Sequence, residues 1–129
     1  MASLNNHSPL PVLLDTNFIL SCYQFGIHIE EIDDIIDESY EILVPQNVLE
    51  ELEQLKLGGK EREARRTMVN ILEPYRILPL QGAVDKSLLE YASTHDCIIC
   101  TNDRALRKNL RKMGKKSLFV RARSHLKME

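Results

Sequence analysis

Asp15 and Asp103 are the residues of this chain best placed to do chemistry together. Asp15 follows the apolar run Leu10-Pro-Val-Leu-Leu14, and Asp103 follows Cys97-Ile-Ile-Cys-Thr101 and Asn102. If both runs are central strands of one parallel sheet, both carboxylates emerge at the same edge. Acids held close raise each other's pKa unless a cation sits between them, so a divalent metal is the natural complement. Read singly, each Asp serves equally well as an N-cap for the helix that follows. It is the pair at one edge that shifts the reading toward function.

Two further acids can join them. Glu51 lies in Val48-Leu-Glu-Glu-Leu-Glu-Gln-Leu55, where Val48, Leu49, Leu52 and Leu55 form an apolar face at about 100° per residue. Glu50 points away from that face, while Glu51 and Glu53 occupy its two margins; the wheel does not choose between them. Asp85 opens the segment Asp85-Lys-Ser-Leu-Leu and reads locally as an N-cap. Three or four carboxylates suit Mg²⁺ or Mn²⁺, hard cations that take oxygen ligands and phosphate oxygens alike. Such a cation activates water and neutralises charge developing on phosphorus, and a second about 3.5–4 Å away would stabilise the leaving oxygen. No His/Cys set has zinc spacing, and Cys97 and Cys100, inside an apolar strand, read as small buried hydrophobes.

The elements that must position these acids follow from the apolar pattern. Strands are expected at Leu10–Leu14, Ile42–Val44, Tyr75–Leu78, Cys97–Thr101 and Ser117–Val120. Helices are expected at Phe18–Phe25, at Ile29–Ile36 (isoleucines at 29, 32, 35 and 36), from Gln46 to Leu57 with Gly58-Gly59 as its stop, at Lys60–Leu72, at Asp85–Ser93 and at Arg104–Met113 closed by Gly114. Strands alternating with helices imply one α/β domain over 1–129, with its core at about 10–123: a three-layer α/β/α fold on a central parallel sheet of about five strands. Ligands of such sheets bind beyond the carboxyl ends of the strands, where strand order reverses.

Composition sets the bounds. The chain has 129 residues, 43% of them hydrophobic and 28% charged, and fits one soluble domain able to bury a core without disulfides. No apolar run is long enough to span a membrane. Neither a secretory leader nor a disulfide framework is evident, with three cysteines, so a reduced cytoplasmic setting is expected. The net charge of −2 conceals an asymmetry: Met1–Leu55 holds eleven acids and no Lys or Arg, whereas Arg104–Lys127 holds ten of the seventeen basic residues and no acid. Arg104, Arg107, Lys108, Arg111 and Lys112 crowd one helix beside the proposed metal site, where they can grip a polyanion or simply complement the acidic half. Arg62, Arg65 and Arg66 form a second, weaker basic group.

Three segments, Leu13-Leu-Asp-Thr-Asn17, Val44-Pro-x-x-Val-Leu-Glu-Glu-Leu52 and Thr101-Asn-Asp-Arg-Ala-Leu106, resemble in order the signature segments of PIN-domain nucleases, over roughly Leu10 to Arg123. The resemblance implies a five-stranded parallel α/β/α fold and metal-dependent RNA cleavage. It assigns the family acids to Asp15, Glu51 and Asp103, and by position to Asp85, around which the match is looser because Lys86 stands where a second acid is common. Thr16, Asn17 and Asn102 match polar positions that orient the ligands or phosphate. The segment Glu50–Leu55 and the basic ending resemble archaeal PIN proteins similar to eukaryotic small-subunit rRNA-processing nucleases, with VapC toxins as broader relatives. The implied partners are RNA, a second copy of the chain, and either an antitoxin or a ribosome-assembly factor. Rival readings are an RNA-binding PIN module that does not cleave and an acidic-site metal phosphatase.

Overall fold

The computed structural model describes residues 8–55 and 59–129. The chain runs β1 (Leu10–Leu14), α1 (Thr16–Phe25), a 3-10 turn (Ile29–Asp34), β2 (Tyr40–Pro45), α2 (Gln46–Gln54), α3 (Gly59–Leu72), β3 (Arg76–Leu78), α4 (Val84–Thr94), β4 (Ile98–Cys100), α5 (Arg104–Lys112), β5 (Lys116–Arg121) and β6 (His125–Met128). The sheet order is β3-β2-β1-β4-β5-β6. All neighbouring pairs are parallel except β5 with β6. Helices α1, α2 and α3 contact one another, as do α4 and α5, which makes the two helical layers. Right-handed crossovers account for this: β1 to β2 to β3 moves one way across the sheet, and β3 to β4 to β5 moves the other. Strand order therefore reverses between β1 and β4.

The central strands are buried on both faces, as strands between two helical layers must be. Val12, Leu13, Leu14, Ile99 and Cys100 are fully buried, and Phe18, Leu52, Leu88, Leu106 and Leu110 pack on them from the helices. Burial pushes the Cys97 thiol up to about 11, and all three cysteines are free and buried. No helix among the described residues is long and apolar enough to cross a membrane.

Three expectations change. The isoleucine segment forms a 3-10 turn, not an α-helix. At three residues per turn Ile29 and Ile32 eclipse and bury together, while Glu30 and Glu31 of the first turn stay in the polar half and Glu31 accepts from the His28 backbone N–H at 2.8 Å. α2 ends at Gln54, and Lys56–Gly58, where the longer helix and the start of its glycine stop were expected, lie outside the described residues. The sheet has a sixth strand beyond the expected limit of the core. His125–Met128 folds back antiparallel on β5 and buries chiefly Leu126, too little apolar pattern in four residues to stand out.

Candidate active site

β1 and β4 run side by side with Leu14 opposite Cys100. The next residue of β1, Asp15, donates its backbone N–H to the Cys100 carbonyl at 2.9 Å. Asp15 is therefore fixed at the carboxyl end of the sheet, at the point where strand order reverses. Its side chain is 3% exposed. Oδ1 accepts from the Thr16 N–H at 2.8 Å, and Oδ2 accepts from the Thr101 hydroxyl at 2.7 Å. Burial is the main cause of its raised pKa, the Thr101 and Thr16 bonds oppose the rise, and the charges of Asp85 and Glu51 add to it.

Asp103 caps α5, its Oδ1 accepting from the N–H groups of Ala105 at 2.9 Å and Leu106 at 3.1 Å. Its own N–H donates to the Thr101 hydroxyl oxygen at 3.1 Å. Thr101, fully buried, thus touches both strand-end acids. Capping and site-building, alternatives in the sequence, are compatible here: Asp103 spends one oxygen on the helix, and Oδ2 takes part in neither cap bond.

The other two acids come from helices, Asp85 from the start of α4 and Glu51 from the second half of α2. Asp85 sits in the first turn of α4, whose cap position is Ala83, so the capping role expected for Asp85 is corrected. The helix dipole favours a carboxylate in that turn. Its pKa is nevertheless raised, first by burial, then by the charges of Asp103 and Glu51. Glu51, on α2, is exposed yet raises both Asp15 and Asp85. Glu53 acts on neither acid; its backbone carbonyl instead accepts from Arg65. Of the two margins left open by the helical wheel, Glu51 faces the acids. The four carboxylates therefore share one electrostatic neighbourhood, although among the described residues no three acids already close on a single ligating point. The donor set itself, hard anionic oxygens that destabilise one another's charge, fits a divalent cation. The buried Thr16 hydroxyl, without a partner among the described residues, adds an unused polar group next to Asp15.

Two residues outside the sequence-based set organise this region. Thr101 is one, and its signal was a lone hydroxyl at the end of an apolar strand. Asn47 is the other: buried on α2, it donates through Nδ2 to the Gly82 carbonyl at 3.2 Å and to Ser87 Oγ at 2.8 Å. Ser87 Oγ in turn donates to the Val84 carbonyl at 2.8 Å. This bridge joins the starts of α2 and α4, the helices that carry Glu51 and Asp85.

The polar positions flanking the acids brace the strand ends. Asn17 Oδ1 accepts from the Asn102 N–H at 3.0 Å and from the Thr101 hydroxyl at 3.3 Å. Asn102 Nδ2 donates to Ser21 Oγ at 2.6 Å, and its Oδ1 accepts from the Val120 N–H at 2.9 Å. Of the basic residues expected to face RNA, Arg104 and Lys108 are exposed. Arg107 and Arg111 both pair with Glu129, at 3.1 and 2.7 Å, and Arg107 also lies 3.9 Å over the Phe119 ring. Arg65 donates to the Glu53 and Leu55 carbonyls at the end of α2.

Comparison with known proteins agrees with this fold. The chain is 34% identical to Ribonuclease VapC9 of Archaeoglobus fulgidus over 74 residues, 56% of this chain and 55% of the relative, so the match spans about half of that protein's length. It is 26% identical to Ribonuclease VapC4 of Methanocaldococcus jannaschii over 124 residues, 91% of this chain and 95% of the relative. The solved structure of the PIN domain endonuclease Utp24 superposes with a TM-score of 0.78 at 26% identity, over 94% of this chain and 92% of that one. A domain of a functionally unknown Methanocaldococcus jannaschii protein shares the fold, with a TM-score of 0.57 at 19% identity over 88% and 92% of the two chains. Residues 12–123 match the family described as PIN like domain, and the chain belongs to that family.

Proposed function

We propose that this chain is a divalent-metal-dependent endoribonuclease that hydrolyses RNA phosphodiester bonds. The observation that carries the reading is the meeting of Asp15 and Asp103 at the reversal point of the sheet, with Glu51 and Asp85 acting on the same charges. Mg²⁺ or Mn²⁺, when bound, would activate water and neutralise charge developing on phosphorus. Asp15 and Asp103 would hold the cation from the sheet edge, and Glu51 and Asp85 directly or through water from the helices. Thr101 and the Thr16 N–H keep the Asp15 carboxylate oriented, and Asn17 and Asn102 hold the two strand ends in register. Arg104 and Lys108 would meet the RNA backbone nearest the acids, while Arg107 and Arg111, tied to Glu129, contribute mainly to the field.

The resemblance of Glu50–Leu55 and the basic ending to archaeal PIN proteins similar to small-subunit rRNA-processing nucleases supports a role in rRNA processing, with ribosome-assembly partners. The likeness to the PIN domain endonuclease Utp24 over nearly the whole chain supports endonucleolytic cleavage. The likeness to Ribonuclease VapC4 over nearly the whole chain supports RNA cleavage, and the broader resemblance to VapC toxins supports a second reading, a toxin ribonuclease held by an antitoxin. In either case the protein would act in the cytoplasm as a single domain that pairs with a second copy of itself. Degradation of a fluorescent RNA with Mn²⁺ should stop on chelation and fall at least about a hundredfold in Asp15→Asn, beyond the usual effect of losing a group that merely supports a ligand. Full cleavage by Asp15→Asn would overturn the proposal, and binding without cleavage by the unaltered chain would favour a non-cleaving RNA module. Turnover of a generic phosphomonoester in place of RNA would make it a phosphatase.

A further inference from the structure

The turn between β5 and β6 lies on the active edge of the sheet and carries its own cluster of cations. β5 is parallel to β4 with Leu118 opposite Cys100. Asp103, past the end of β4, and Arg121, at the end of β5, each stand three residues beyond that pair. The two ends are bonded together: the Thr101 N–H donates to the Leu118 carbonyl at 2.9 Å, and the Val120 N–H donates to Asn102 Oδ1 at 2.9 Å. Cross-strand register places Arg121 opposite His125 and Phe119 opposite Lys127, so all four share one face of the ribbon. Arg107 over Phe119 shows that this is the face covered by α5. Arg123 swings to the other side, 5.9 Å over the Phe25 ring at the end of α1.

The turn itself is strained. Ala122 and Arg123 have φ values of 53° and 57°, a left-handed pair that hairpins usually assign to Asn or Gly, and the Ser124 N–H closes the turn on the Arg121 carbonyl at 3.1 Å. Arg121, Arg123, His125 and Lys127 are exposed, and Arg104–Lys127 contains no acid that could neutralise them locally. Glu129, which feels the charge of Lys127, bonds to Ser117 through both backbone groups and so lies at the opposite end of β5 from the turn.

From this placement we propose that the β5–β6 turn, through Arg121, Arg123 and His125, is a docking surface for the phosphate backbone of single-stranded RNA leading into the acidic site. The inference deepens the endoribonuclease reading and rests on it. An acid cluster repels a polyanion, and cations one strand away at the same edge reverse the sign of the field along the approach. The contacts fix position with no reading of bases, since no Phe, Tyr or Trp lies on the turn.

Anisotropy of a labelled single-stranded RNA, in calcium so that it is not consumed, tests the surface apart from catalysis. The double substitution Arg121→Ala/Arg123→Ala should weaken binding about tenfold and reduce the slope of log affinity against log salt by about 1.4, the value for two lost phosphate contacts on a single strand. Arg121→Lys/Arg123→Lys, which keeps the charges, should recover most of the affinity, and a thermal melt of each variant checks that it folds. Arg76→Ala, at the far edge strand, should leave both affinity and slope unchanged. Unchanged affinity and slope in the double alanine variant, with the unaltered chain still cleaving RNA, would overturn the docking surface alone. An unaltered chain that neither binds nor cleaves RNA would overturn both readings. Unchanged RNA binding together with loss of a co-purifying protein would assign the turn to a protein partner and also overturn the proposal.

Discussion

The two halves of the acidic site are held in different ways. Asp15 and Asp103 continue from adjacent central strands, and the buried Thr101 hydroxyl bonds to Asp15 across 86 positions of sequence. Glu51 and Asp85 stand exposed on α2 and α4, whose relative position depends on the Asn47 bridge to Gly82 and Ser87. A sheet edge delivers carboxylates with backbone precision whatever occupies the site. Helix-borne acids that repel their neighbours need both a clamp and a cation to come together. The strand half should therefore respond to mutation as structure, and the helix half as ligand affinity.

The largest effect should come from Thr101→Val. It removes the donor to Asp15 Oδ2 and the acceptor for the Asp103 N–H, while filling nearly the same volume. Leaving those groups unpaired should cost about 2–4 kcal/mol of stability, and the lost orientation of both acids should lower cleavage about a hundredfold. Thr101→Ser, which keeps the hydroxyl, should restore most of both. Urea unfolding alongside RNA cleavage reads the two quantities. A valine variant with ordinary activity would show that the strand half does not depend on this hydroxyl.

Asn47→Ala comes next. The Gly82 carbonyl loses its donor, but Ser87 keeps its bond to Val84, so about 1–2 kcal/mol of stability should be lost. If the bridge positions Glu51 and Asp85, the concentration of Mn²⁺ giving half-maximal cleavage should rise about tenfold, with the rate at saturating Mn²⁺ largely recovered. A purely structural role would lower activity equally at every metal concentration, and that outcome would erase the distinction between the halves.

The strand half was legible because its signal is local. An apolar run that stops at an Asp needs only the parallel-sheet rule to place the carboxylate, and the same rule covers both β1 and β4. The Asn47 bridge was not, since its partners lie 35 and 40 positions away and become neighbours only once α2 and α4 start at the same sheet edge. The wheel could not separate Glu51 from Glu53 because each flanks the apolar face; what separates them is the charge of Asp15 and Asp85 on one side only. On α5 the density of basic residues was plain, yet Arg107 and Arg111 find Glu129 at 22 and 18 positions' distance through a sixth strand too short to show in the pattern.

The smallest expected effect concerns what burial does to the strand half in the absence of a cation. Asp15 titrates above the ordinary carboxylate range, chiefly through burial, whereas in the unfolded chain it returns to about 3.9. Below the unfolded value both states carry the proton and the difference has no effect. As pH rises from there through the folded value, the native state must ionise a carboxylate that the unfolded state ionises more easily, so stability is lost, fully so above the folded value. Asp15→Asn removes that loss. Its amide can still accept from the Thr16 N–H, and Thr101 can turn its proton toward Asn17 Oδ1 and accept from the new amide nitrogen. In chelator the variant should therefore melt a few degrees above the unaltered chain at pH 7, with the gap closing as pH falls toward 4. Saturating Mn²⁺ should narrow or reverse the gap at pH 7, because the cation binds only the chain that keeps the carboxylate and stabilises its native state. A gap that ignores both pH and Mn²⁺ would mean that Asp15 is held by its two hydrogen bonds alone, with no unmet charge for a metal to satisfy.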